Sequence, residues 1–191
     1  MTEWLMKQLC AEAAGLLAED RSLHIAINLS PCHFETSRIL KTTSHIFGNS
    51  AIRPEQIIYE ITERGLIKED SGIARDVMKH LRERKSHIAL DDFGTGYSSL
   101  SYISSFPLDY LKIDKSFVEA IGTNALTAGL VNSIIDMAKR LGLSIIAEGV
   151  EKRAQVDYLR QQGVEYAQGW YFSRAMPIKA FRQYVRGYNK R

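Results

Sequence analysis

The chain has 191 residues, 45% of them hydrophobic and 25% charged, with 25 Lys and Arg against 22 Asp and Glu for a net charge of +3. The length suits one globular domain and the composition excludes a disordered chain. The mild charge does not argue for a nucleic-acid binder, so no DNA or RNA partner is expected, and no run reaches the ~20 apolar residues of a membrane span.

A helix is predicted over 3–19, with Leu5, Leu9, Ala13, Leu16 and Leu17 on one face. A short strand follows at His24–Asn28. Residues 34–47 read as a helix with Ile39, Leu40, Thr43 and Phe47 inward and Gly48 as its stop. Ile57–Ile61 is the next strand, and 71–84 the next helix, with Ile73, Val77 and Leu81 at spacing four and Asp70 or Ser71 as cap. His87–Asp91 is a strand, Tyr97–Phe106 a short helix and Tyr110–Ile113 a strand. Residues 125–141 give a helix through Leu126, Leu130, Ile134, Ala138 and Leu141, stopped by Gly142. Ser144–Ala147 is a strand, 152–162 a helix, and Tyr166–Phe172 contains a last strand before a helix over 178–188.

Six strands, each followed by a helix or helical turn, predict an α/β fold with a parallel sheet. An open doubly wound sheet is the alternative architecture, weakened because no Gly-rich phosphate loop follows the first strand. Cys10 and Cys32 are too few for a disulfide framework and lack metal-site spacing, so a cytoplasmic setting is expected. Met1-Thr2-Glu3-Trp4 is not a signal peptide.

The polar residues at the strand ends carry the chemistry. Asn28 ends the first strand, Glu60 sits late in the second, and Asp91-Asp92 ends the third. Lys112 lies within the fourth, Glu148 ends the fifth, and Gln168 begins the sixth. In a parallel βα sheet these ends share one face. Each residue alone would pass as a cap or turn former. Glu60 and Lys112 resist that reading, because a charge inside IIYEIT or YLKID is costly unless paired or bound to metal. Clustered carboxylates need a cation between them, and oxygen-only donors select Mg²⁺ or Mn²⁺. Two such ions, roughly 3.5–4 Å apart, suit phosphodiester cleavage. Lys112 would orient the water or neutralise developing charge. The loop from Asp92 through Gly94, Thr95 and Gly96 to Leu100 is a glycine-hinged βα turn. Glu63 is a candidate partner for that loop or a helix cap, and Glu151 a capping or supporting carboxylate. Trp170, Tyr171 and Phe172 could stack a base, but core packing is the expectation.

The segments INLS (27–30), YEITE (59–63), DDFGTGYSSL (91–100), LKIDKSFV (111–118), IIAEGVE (145–151) and AQGWYFSRAMP (167–177) together resemble the EAL domain, a family of bacterial cyclic di-GMP phosphodiesterases. The resemblance runs from about residue 1 to residue 185. It implies a modified TIM-type (β/α)8 barrel, a site with two ions of Mg²⁺ or Mn²⁺, the product pGpG and a homodimer. It further implies Asn28, Glu60, Asp91 and Asp92 as metal ligands, and Lys112 holding the water or scissile phosphate. Glu148 would bind metal or act as general base, supported by Glu151. Gln168 would lie at the substrate, and Glu63 would brace the loop containing Gly94, Thr95 and Gly96.

The Glu-Ala-Leu tripeptide that names the family is absent before Asn28; Glu119-Ala120-Ile121 follows LKID and is out of place. Residues 1–191 are therefore expected to be one EAL-like domain lacking its first strand or strands, with about six βα units of the barrel present. The chain would be cytoplasmic, free or as the cytosolic part of a longer membrane-bound protein. Two functions are expected: a cyclic di-GMP phosphodiesterase, weak or inactive as the isolated chain, or a non-catalytic cyclic di-GMP-binding or protein-interaction regulator.

Overall fold

The structure is a computed structural model, and it describes residues 2–33, 38–63, 71–94, 103–123 and 126–188. Six parallel strands form a single sheet in sequential order: β1 (Ile25–Asn28), β2 (Ile57–Thr62), β3 (His87–Phe93), β4 (Tyr110–Ile113), β5 (Ser144–Ala147) and β6 (Tyr166–Ala167). The helices are α1 (Thr2–Glu19), α2 (Arg38–Phe47), α3 (Ser71–Glu83), α4 (Lys115–Glu119), α5 (Leu126–Arg140), α6 (Arg153–Gln161) and α7 (Ile178–Tyr188). Sequential order with helices described in the crossovers from β1 to β2, β2 to β3, β4 to β5 and β5 to β6 is the winding of a (β/α) barrel, here an incomplete one. Among the described residues β1 pairs only with β2 and β6 only with β5, so the half-barrel has two edges.

Strand residues alternate between faces, and the two faces differ. Ile27, Ile57, Tyr59, Ile61, Ile88, Leu90, Leu111, Ile113 and Ile145 point outward and form one core with the helices. The inner face is layered. Nearest the strand starts, His24, His87, Tyr110 and Tyr166 make an edge-to-face row with ring centroids 5.9, 5.7 and 5.8 Å apart. Small or apolar residues such as Ala26, Ile58 and Ala89 follow, and the strand ends carry the polar cluster.

Helix phase is where expectation and structure part. Leu5, Ile73 and Leu130, expected inward, are 45%, 42% and 49% exposed. In α3 the buried stripe is Ala74, Val77, Met78 and Leu81, and in α5 it is Val131, Ile134, Ile135 and Ala138. Both stripes follow i, i+3, i+4, i+7 but start one residue later than the large side chain suggests. In α1, Met6 takes the place given to Leu5.

The short helix α4 is unforeseen; Asp114 caps it by accepting from the Ser116 backbone N–H at 2.9 Å. The helix expected over Tyr97–Phe106 lies largely outside the described residues. The last strand is only two residues long, so Gln168 follows it rather than beginning it. Gly169, at φ +155°, turns the chain there, and a Cβ would lie 2.2 Å from the Val150 carbonyl oxygen. No helix of the described residues is long and apolar enough to cross a membrane.

Candidate functional site

Lys112 is the centre of the site. Its stem rises from β4, level with Ile146 of β5, and the ammonium reaches the neighbouring strand ends. It lies 2.6 Å from Glu60 Oε1, 2.9 Å from Asp91 Oδ1 and 2.6 Å from Glu148 Oε1. Lys112, Glu60 and Asp91 are buried, at 3%, 6% and 8% exposure, and Glu148 is half-buried. Burial alone would push the Lys112 pKa down. Hydrogen bonds to Glu148, Glu60 and Asp91, with the charge of Glu60, outweigh it and hold the ammonium above its ordinary value.

One ammonium touches three carboxylates, so two negative charges are left over. Burial pushes the Glu148 carboxyl above the usual carboxylate range; Lys112 pulls it back, and the charges of Asp91 and Glu60 raise it further.

Asp91 and Asp92 are neighbours, and in a regular strand neighbours face opposite sides. A register irregularity between Leu90 and Phe93 resolves this, with Asp92 at φ +54°, the left-handed region. The bulge turns Asp92 toward the same site. Asp91, Asp92 and Glu148 each present a carboxylate oxygen, all within 4.8 Å of one another. The Asp92 backbone N–H also donates to Asp91 Oδ1 at 3.0 Å.

The flanks are looser. Asn28 is register partner of Glu60 and exposed at the β1 edge. Gln168 Nε2 donates to Glu148 Oε1 at 2.5 Å, while its backbone N–H donates to the Ala147 carbonyl. Glu63, 2% exposed just past β2, accepts from the Gly94 N–H at 3.2 Å. Gly94 has φ +96°, and a Cβ would lie 2.6 Å from the Phe117 ring, so glycine is required. Thr95 and Gly96 lie outside the described residues.

Glu151 is not in the cluster. It pairs with Lys115 at 2.9 Å, and Lys115 also meets Glu119 at 3.2 Å. Lys115 Nζ sits 5.3 Å from the centre of the Trp170 ring, with the Arg174 guanidinium at 4.7 Å. Trp170, Tyr171 and Phe172 are 59%, 39% and 39% exposed, which corrects their expected place in the core. Sequence reading also missed two buried amides. Gln56 Nε2 donates to the carbonyls of Leu17, Asp20 and Leu23, tying α1 to β2. Gln155 bridges the Glu151–Lys152 backbone to Val118. Each side-chain oxygen also accepts from a local N–H in a capping box, Gln56 from Arg53 and Gln155 from Lys152, but the distant carbonyls that complete the hubs have no local sequence signature.

A parallel half-barrel with carboxylates at the ends of β2, β3 and β5 around a lysine of β4 defines the class, and the comparisons define the family. The EAL domain family model matches residues 1–175. PdeB of Escherichia coli (strain K12), named a probable cyclic di-GMP phosphodiesterase, is 37% identical over 185 residues, covering 97% of this chain and 35% of PdeB. The solved PaMucR phosphodiesterase, in complex with c-di-GMP, superposes with a TM-score of 0.86 at 30% identity, covering 94% of this chain and 72% of that one. BlrP1 of Klebsiella pneumoniae, in a manganese/cy-diGMP complex, superposes with a TM-score of 0.77 at 29% identity, covering 90% of this chain and 44% of that one. This chain belongs to the EAL domain family. It spans about a third of the length of PdeB.

Proposed function

We propose that the strand-end site hydrolyses cyclic di-GMP to pGpG, using Mg²⁺ or Mn²⁺. The observation that carries this reading is the buried surplus of negative charge around Lys112, on a face that Asp92 joins only through a strained bulge. Asp91, Asp92 and Glu148 offer oxygen donors alone, which fits a hard divalent cation, and Glu60 and Asn28 extend that donor set. Once bound, such ions would polarise the phosphodiester and ease loss of a proton from water. PdeB and PaMucR carry phosphodiesterase names, and BlrP1 binds manganese and the cyclic dinucleotide together, in support of the reading.

The chain's own groups divide the remaining work. Lys112 keeps its proton, so it acts as a fixed positive charge for the phosphate and not as a base. Glu148, raised by burial, is the proton acceptor for the attacking water. Gln168 holds the Glu148 carboxylate in position. The water oxygen bonds to phosphorus as its proton passes to Glu148, the bond from phosphorus to the 3′-oxygen breaks, and the departing 3′-oxygen takes up one proton to become the 3′-hydroxyl. Among the described residues β1 pairs only with β2, so no strand beyond it adds a donor to the site, and turnover by the isolated chain is expected to be weak.

Chromatography of cyclic di-GMP incubated with the chain and Mn²⁺ tests this. Slow conversion to pGpG is expected, falling about 100-fold or more in Glu148→Gln. Conversion that Glu148→Gln leaves intact would overturn the reading. Tight nucleotide binding with no conversion would favour a non-catalytic sensor.

A further inference from the structure

A cavity of about 690 Å³ opens on the outer side of β2, beneath α2 and α3. Its floor includes Tyr59, whose neighbour Glu60 faces the carboxylate cluster on the other side of the sheet. The Tyr59 hydroxyl is engaged by Thr43 and Ser86, so the polar capacity of the floor is used locally. The walls are mostly apolar, with Phe47, Ile52 and Leu81, and carry the hydroxyls of Ser44 and Ser50.

Three guanidiniums, those of Arg21, Arg53 and Arg84, stand at the rim, and no carboxylate is among the described residues that line the cavity. Arg21 Nη1 donates to the Ala51 carbonyl at 3.4 Å. Arg84 Nη1 donates to the Leu40 carbonyl at 3.0 Å and to the Ser44 hydroxyl. These bonds hold the Arg21 and Arg84 guanidiniums through one nitrogen each; the Nε–H and Nη2–H fork is the pair that matches a carboxylate. The nearby acid Glu55 lies 3.7 Å from Lys85 and also feels the charge of Arg53.

We propose that this cavity binds an acyl-chain carboxylate, its chain against the apolar walls and its head group on the rim arginines. The volume lies within the range of small-molecule sites. An inorganic anion would leave the apolar walls unused, and a neutral hydrocarbon would leave the arginines unused.

Titration calorimetry of the full chain with decanoate, below its micelle-forming concentration, tests the proposal. Saturable binding is expected, with decanol about tenfold weaker because it lacks the charge. The R21A/R53A pair should weaken decanoate binding about tenfold, and A51W, which fills the cavity, should abolish it at an unchanged urea midpoint. Absence of saturable decanoate binding overturns the proposal, as does decanol binding equally well. So does retention of full affinity in R21A/R53A or A51W. Sedimentation with phosphatidylglycerol vesicles without decanoate binding would assign the surface to membrane contact and overturn it too. If A51W does not fold, the decanoate-to-decanol ratio and R21A/R53A still decide.

Discussion

The middle and the flanks of the strand-end row are built on different physics. In the middle, Glu60, Asp91 and Glu148 converge on one ammonium and are held by charge in a poorly hydrated place. At the flanks, Asn28 is solvent-exposed on β1 and Gln168 rests on Glu148 by a single side-chain bond. A buried cluster loses heavily when one member is removed, because the survivors keep their charge and lose their compensation. A surface amide leaves water in its place. The same row is thus held tightly at its centre and loosely at its ends.

Replacing Lys112 by Met attacks the centre and should have the largest effect. Three carboxylates would then face one another, with a loss of about 3–5 kcal/mol in metal-free urea unfolding. Mn²⁺ should restore part of that loss, and a variant as stable as the parent without metal would show that charge does not lock the centre. Next is Asp92→Asn, which should weaken Mn²⁺ binding in calorimetry by at least the roughly 10–100-fold that losing a supporting partner costs a metal site.

Acidification probes the same centre without mutation. The Glu148 pKa is raised, so its proton competes with the cation at a higher pH than an ordinary carboxylate would allow. Cation affinity is therefore full above that raised pKa and lost as pH falls through it. Mn²⁺ titrations from neutral to mildly acidic buffer should show the decline, and Glu148→Gln should flatten it. The flanks should respond least. Gln168→Ala removes one hydrogen bond and should shift the unfolding free energy by about 0.5–1.5 kcal/mol, and Asn28→Ala by no more than about 0.5 kcal/mol. A loss at either flank equal to that of Lys112→Met would erase the distinction.

Much of this row was legible because charges inside apolar strands are expensive. Glu60 in IIYEIT and Lys112 in YLKID announced themselves, and parallel topology placed their strand ends together. What the sequence could not convey was the direction of each side chain. Adjacent Asp91 and Asp92 share a site only because of a bulge, and a bulge leaves no composition signal in DDF. The same blindness to direction put Leu5, Ile73 and Leu130 inward, where the buried stripes begin one residue later. Glu151 lies only three residues past Glu148, yet its partner is Lys115 on a helix that the sequence reading did not anticipate. Asp114 and Ser116, in cap spacing, were the available signal for that helix.

The clamp on Trp170 gives the molecule an optical gauge of its own. The chain has two tryptophans, and Trp4 sits on α1, whereas Trp170 lies two residues beyond Gln168 between two cations. Indole emission responds to nearby charge, and Lys115 is shared between that ring and Glu151. Any occupant that draws Glu151 or Gln168 toward itself would change the field on the ring, and its emission with it. In a Trp4→Phe background Trp170 is the single tryptophan, so the effect of added Mn²⁺ or cyclic di-GMP on its emission, excited beyond the tyrosine band, can be followed in real time without a label.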